Sequence, residues 1–185
     1  MLAPLRSFES YSDFDSFMKK ANTVTGLIKA LKNNCASLRL LDIGCNKGFL
    51  LHSAIQHGWD VSGIELIAEL LIPFKNKHRS LRDNILIGDF NNVYKDIKPA
   101  SFDVITAIDV IEHFPDPLRT ASNIRSLLKQ DGIFVVQTPD TESSLATTLK
   151  SSWGALKWNE HLCLFNKHNY TELAKSSGFA HTTFY

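Results

Sequence analysis

This chain has 185 residues and only three cysteines, Cys35, Cys45 and Cys163, none of them in a CxxC pair. An odd, scattered set argues against a disulfide framework or a structural zinc site and fits a reducing cytoplasm. An excess of one charge is missing too. Twenty basic residues face 19 acidic ones, which removes the electrostatic case for nucleic acid or an anionic membrane as partner. No apolar run approaches the roughly 18 residues of a membrane span. Residues 1–20 have no unbroken apolar core, so they do not read as a secretory signal. Repeats and low-complexity tracts are also absent. What is left is the length of one domain, with an apolar fraction of 44% that supports a sizeable core.

Phe14, Phe17, Met18, Ala21, Thr25, Ile28 and Leu31 recur at three- and four-residue steps, which predicts an amphipathic helix. Ser12 with Asp15 predicts a capping box at its start. A strand over 38–43 and a helix over 48–57 follow, then a second strand in "GWDVSGIEL". "NILIGDF", "FDVITAID" and "GIFVVQTP" supply three more strands, with a helix predicted over 118–129. Short apolar strands alternating with helices predict an α/β fold, a doubly wound and mostly parallel sheet with helices on both faces. Beyond Pro139 the alternation weakens. "KHNYTELAKSSGF" predicts a helix closed by Gly178, and "AHTTFY" a sixth strand.

The first strand runs into "DIGCNKGF", a knot of small and polar residues at the carboxyl edge of the sheet, where such folds bind ligands. Gly44 and Gly48 allow a tight turn and a close backbone approach, and Asn46 tolerates positive φ. Two common glycine loops fail to match. A P-loop needs GxxxxGK[ST], but Gly48 arrives one step early and Phe49 follows it; a nicotinamide loop needs GxGxxG, but Asn46 and Phe49 stand at its second and third glycines. The pattern present is Asp-x-Gly-x-x-x-Gly. Glu65 closes the second strand 21 residues after Gly44, where a carboxylate can accept both hydroxyls of a ribose.

With these segments in this order, the chain resembles the class I S-adenosylmethionine-dependent methyltransferases, near the small-molecule branch of ubiquinone-biosynthesis-type O-methyltransferases. The likeness runs from about Arg39 to Phe179. It rests on "LLDIGCNKGFLL", "VSGIEL", "IGDF", "FDVITAIDVIEHFPDP", "GIFVVQTP" and "EHLCLF" followed by "LAKSSGF".

The resemblance implies S-adenosylmethionine as cofactor, a small-molecule acceptor, and one domain in three parts: a helical cap over 1–37, a cofactor core over 38–140 and an acceptor side over 141–185. It implies that Asp42, Gly44, Cys45, Asn46 and Gly48 carry the methionine part, and Glu65 with Leu66 the ribose side. Asp89 and Phe90 are expected at the adenine, Phe90 through its ring or its backbone N–H, and Asp109 near the sulfonium. Asn46 departs from the family's usual glycine. The family's sheet has seven strands, whereas this chain stops at Tyr185 within the sixth, which predicts an open edge that favours self-association.

His113, after the fourth strand, is the candidate general base, with a structural histidine as the plain alternative. Asp109, Glu112 and His113 also resemble the metal-binding ExxEH of the ubiquinone O-methyltransferases, with Asp in first place. On one helical turn the three share a face. Because Asp109 has a competing role at the cofactor, no metal is assigned. Trp153, Trp158, Glu160 and His161 fall where the acceptor pocket is shaped, and His161 is a second candidate base without an identifiable partner. A module that binds the cofactor but has lost catalysis is the alternative function.

Overall fold

Four of the five residues of the first strand, β1 (Arg39–Ile43), are buried, as a strand covered on both faces requires. The computed structural model describes residues 8–10, 12–157 and 159–185. Helix α1 (Phe14–Leu31) precedes β1. The order then runs α2 (Phe49–Gln56), β2 (Asp60–Glu65), α3 (Ile72–Lys77), β3 (Ile85–Ile87), α4 (Phe90–Val93), β4 (Phe102–Ile108), α5 (Pro117–Leu127), β5 (Leu128–Gln137), α6 (Ser144–Leu149) and α7 (Lys167–Ser176). The sheet has the order β3-β2-β1-β4-β5, and every neighbouring pair is parallel.

Alternation along the strands divides the core between the two faces. Leu40 and Val104 join Ile28, Leu51 and Phe74 in one cluster, while Leu41, Ile43 and Ile105 join Ile124 and Leu127 in the other. The strand order reverses between β1 and β4, so a crevice opens at their carboxyl ends. That point carries both the glycine loop and the "DVIEH" loop.

Three local expectations need correction. Helix α1 begins without the Ser12–Asp15 capping box: Asp13 holds the cap position and no side chain caps the helix. Its start is instead fixed by tertiary packing, Phe14 lying edge-on to both Phe8 and Phe49. Strand β5 begins at Leu128, inside the stretch predicted as helix, because Leu128 pairs with Phe102 across a register shift. The sixth strand does not form. Residues 180–185 have no regular structure, and among the described residues β5 pairs only with β4. A cavity of about 810 Å³ lies along β5, lined by Val24, Leu27, Ile133, Val135 and Tyr185 among others. It is not the crevice at the switch point. Among the described residues no helix is long and apolar enough to cross a membrane.

Candidate active site

The glycine loop turns through three left-handed residues: Gly44 at φ 70°, Asn46 at φ 47° and Gly48 at φ 79°. Glycine is required at two of them for space as well as for conformation. A Cβ on Gly44 would lie 2.5 Å from Val110 Cγ2, and one on Gly48 would lie 2.5 Å from the Phe74 ring. The first contact packs the loop after β1 directly against the loop after β4.

Gly44 and Cys45 both donate their N–H to the Ile64 carbonyl, which clamps the loop to β2. The Asn46 N–H then donates to Glu65 Oε2 at 2.7 Å, and the Ile67 N–H to Oε1 at 3.0 Å. Glu65 is only 8% exposed, so its carboxylate is held in one place, and each oxygen keeps a further lone pair. Beside it Leu66 and Ile67 expose apolar side chains on the path towards β3. Gly48 opens α2, and no side chain caps the helix there.

Asp42 lies behind the loop. It accepts a 2.7 Å hydrogen bond from Thr106 Oγ1 on β4. Burial pushes its carboxyl up to about 7 against that hydrogen bond, and the Glu65 charge adds to the rise. The Cys45 thiol is buried and pushed well above its ordinary range, mainly by desolvation, so it acts as packing against Gly63. Asp89 caps α4 by accepting the Asn91 N–H. The ring of Phe90 is buried in the core against Tyr94 and Phe114, which leaves its backbone as the part able to meet an adenine.

The loop after β4 does not form the face that ExxEH spacing predicts. Asp109 has φ 56°, and residues 111–113 form a 3₁₀ turn. Its carboxylate pairs with Lys20 of α1 at 2.6 Å and accepts from Gln137 at 3.0 Å, apart from Glu112 and His113. The pair ties α1 to the loop after β4, while Phe17 stacks on Phe49 at the start of α2.

What assembles beside the turn is Glu112, His113 and His161, each with a ligand atom within 4.8 Å of the others. Glu112 is buried, with Oε2 accepting from Thr138 Oγ1. Its Oε1 and His161 Nδ1 are the buried side-chain atoms without a hydrogen-bond partner among the described residues. Each such orphan costs about 1–3 kcal/mol. The exposed ring of His113 approaches the Glu160 carbonyl at 2.8 Å through Nδ1. A carbonyl only accepts, so in the neutral ring Nδ1 carries the hydrogen and Nε2 keeps a lone pair.

A family model described as a methyltransferase domain matches residues 14–183. The chain belongs to that family. The methyltransferase domain is 32% identical over 111 residues to a ubiquinone biosynthesis O-methyltransferase of Glaesserella parasuis, covering 57% of this chain and 47% of that one. It is 34% identical over 95 residues to the protein of the same name from Coxiella burnetii, covering 50% and 40%. It thus spans less than half the length of these curated relatives. Among solved structures it resembles a SAM-dependent methyltransferase from Archaeoglobus fulgidus, with TM-score 0.66, 16% identity and coverage of 89% and 73%. It also resembles Haemonchus contortus phosphoethanolamine N-methyltransferase 2 in complex with S-adenosyl-L-methionine, with TM-score 0.64, 20% identity and coverage of 96% and 45%. These two establish the class I methyltransferase fold.

Against that family frame, the domain brings Asp42, Gly44, Asn46, Gly48 and Glu65 together around one turn and sets Asp89 at the end of the neighbouring strand β3. Trp153 is buried within the segment that follows α6, and Trp158 lies outside the described residues. Sequence reasoning missed that His161 lies beside Glu112, 49 positions earlier in the chain, with 3.9 Å between Nε2 and Oε1. It also missed Lys20 on Asp109. No local pattern signals either pairing, since both depend on how distant segments fold against β4.

Proposed function

We propose that the protein is an S-adenosylmethionine-dependent methyltransferase acting on a small-molecule acceptor. One observation carries the reading: Glu65 grips the glycine loop through the Asn46 amide at the switch point of a methyltransferase-family sheet. A fixed carboxylate with spare lone pairs suits two ribose hydroxyls. Leu66 offers apolar cover, while Asp89 and the Phe90 amide stand where the adenine edge is expected.

When bound, S-adenosylmethionine supplies an electrophilic methyl group on its sulfonium. The chain's part is to fix the acceptor nucleophile in line with that methyl and to keep water out, and positioning of this kind is worth up to ~7–11 kcal/mol. Asp109 belongs to the sulfonium side. His113 belongs to the acceptor side. Its Nε2 lone pair serves the acceptor by taking a hydroxyl proton directly, or by holding an ion that makes the hydroxyl more acidic. Its buried neighbours Glu112 and His161 favour the second use. The O-methyltransferase names of the curated relatives support oxygen as nucleophile. Three free thiols fit the cytoplasm, and the open β5 edge favours self-association, to be read as concentration-dependent mass in light scattering.

The test is thermal melting with S-adenosylhomocysteine and with NAD, followed by turnover on a panel of hydroxyl, amine and carbon acceptors. A ligand at 100 times its dissociation constant adds ~2.7 kcal/mol of stability. Stabilisation by S-adenosylhomocysteine alone is expected, and none would overturn the reading. Binding without turnover on any acceptor would instead favour a module that has lost catalysis.

A further inference from the structure

Asp42, Glu65 and Asp109 bring carboxyl groups to the carboxyl ends of β1, β2 and β4. Of these only Asp109 has an ion-pair partner among the described residues. Lys20 Nζ lies 2.6 Å from Asp109 Oδ2, and Gln137 donates to the other oxygen at 3.0 Å. Lys20 stands one turn beyond Phe17 on α1, so the two share a face of the helix. Phe17 in turn stacks flat on Phe49 at 5.1 Å and meets Lys47 Nζ of the glycine loop over its ring at 5.6 Å. One face of α1 thus reaches both loops of the crevice.

The members of the pair differ in freedom. Asp109 has φ 56°, and its N–H donates to the Gln137 carbonyl at 2.8 Å, so its carboxylate is held from β5 through backbone and side chain alike. Lys20 carries its charge on a flexible four-carbon stem. The two side chains are 40% and 47% exposed, so the ammonium can leave for water at little cost.

We propose that Lys20 is a specificity-determining residue that sets the balance between a cationic methyl donor and its neutral product: its ammonium holds Asp109 in the absence of a sulfonium and gives the carboxylate up in its presence. The inference rests on the reading above, which puts Asp109 on the sulfonium side. Loss of the methyl turns the sulfonium into a neutral thioether, the S–C bonding pair staying on sulfur while the acceptor's proton passes to a base or to water. Donor and product therefore differ by one methyl and one positive charge. A movable ammonium on a fixed carboxylate competes with the first and not with the second.

Calorimetric titration with S-adenosylmethionine and with S-adenosylhomocysteine tests the role. Lys20→Met is expected to tighten S-adenosylmethionine about two- to fivefold, the range of an exposed ion pair, and to leave S-adenosylhomocysteine unchanged. The gain should shrink as salt is raised, as screening requires. Lys20→Gln, which also removes the charge, should repeat the result, whereas Lys20→Arg keeps the charge and should match the wild type. In an Asp109→Asn background Lys20→Met should no longer tighten the donor. Circular dichroism on each variant separates a change at the site from a change in the fold. Equal shifts for both ligands would make Lys20 a structural contact alone and overturn the proposal, as would a tightening that survives Asp109→Asn. If the wild type binds neither ligand, the proposed function falls and this inference with it. If it binds both and the charge-removing variants leave their ratio unmoved, the inference alone falls.

Discussion

The carboxylate of Glu65, at the end of β2, accepts the backbone N–H of Asn46 in the loop after β1 at 2.7 Å. One side chain thereby sets the shape of a loop on the neighbouring strand. Charge-assisted hydrogen bonds contribute about 1.5–3 kcal/mol each. Glu65→Gln turns an amide NH₂ towards one of its two amide donors. The expected result is S-adenosylhomocysteine binding weakened at least tenfold by calorimetry, with a lower melting temperature even without ligand. Unchanged affinity would remove Glu65 from the site.

Gly44 touches Val110 with no room for a methyl group. Gly44→Ala should cost about 1–3 kcal/mol from overpacking, together with a left-handed backbone penalty of roughly 1–2 kcal/mol. Adding Val110→Ala should recover the first part and not the second. A denaturant double-mutant cycle measures the split. Strict additivity would mean the two loops are not in contact.

Asp42 makes stability depend on pH in a stated direction. Its folded-state value of about 7 lies above the ordinary 3.8, so the native state holds the proton more tightly than the unfolded chain. Stability is therefore fully present below pH 4 and is lost as pH rises through 7. Asp42→Asn keeps an acceptor for Thr106 and should flatten the melting profile between pH 4 and 7.

His52 and His78 work in the opposite sense. His52 Nδ1 and His78 Nε2 share a 2.9 Å hydrogen bond, and burial first of all holds both rings below the usual histidine value. Their contribution is complete above about pH 6.5 and falls as pH drops through the lowered folded values. His78→Gln should reduce the loss of melting temperature on acidification. Because the carboxyl of Asp42 gains stability over part of the same range, the two effects separate only in the single variants.

The five strands and the glycine loop were legible because each is a local pattern: a short apolar run, a helix period, small residues at a turn. The legible part of the candidate site has the same origin, since Gly44, Asn46, Gly48 and Glu65 sit at strand ends whose neighbours the parallel order dictates. Phe90 shows the limit. Its residue type suits either an adenine stack or a core, and only the packing of Phe114 and Tyr94 decides for the core. Asp109 shows another, because helical spacing predicts a shared face that a left-handed residue and a 3₁₀ turn do not produce. His161 could not be paired at all from a linear reading. Its environment is made by a segment that returns to β4 only after α6.

The wedge of Val110 into the space left at Gly44 has a wider meaning. The turn that carries Val110 has no slack against the glycine loop, since even one methyl group added at Gly44 would collide with it. The loops after β1 and β4 are therefore interlocked through one isopropyl group, so that neither can shift without displacing the other.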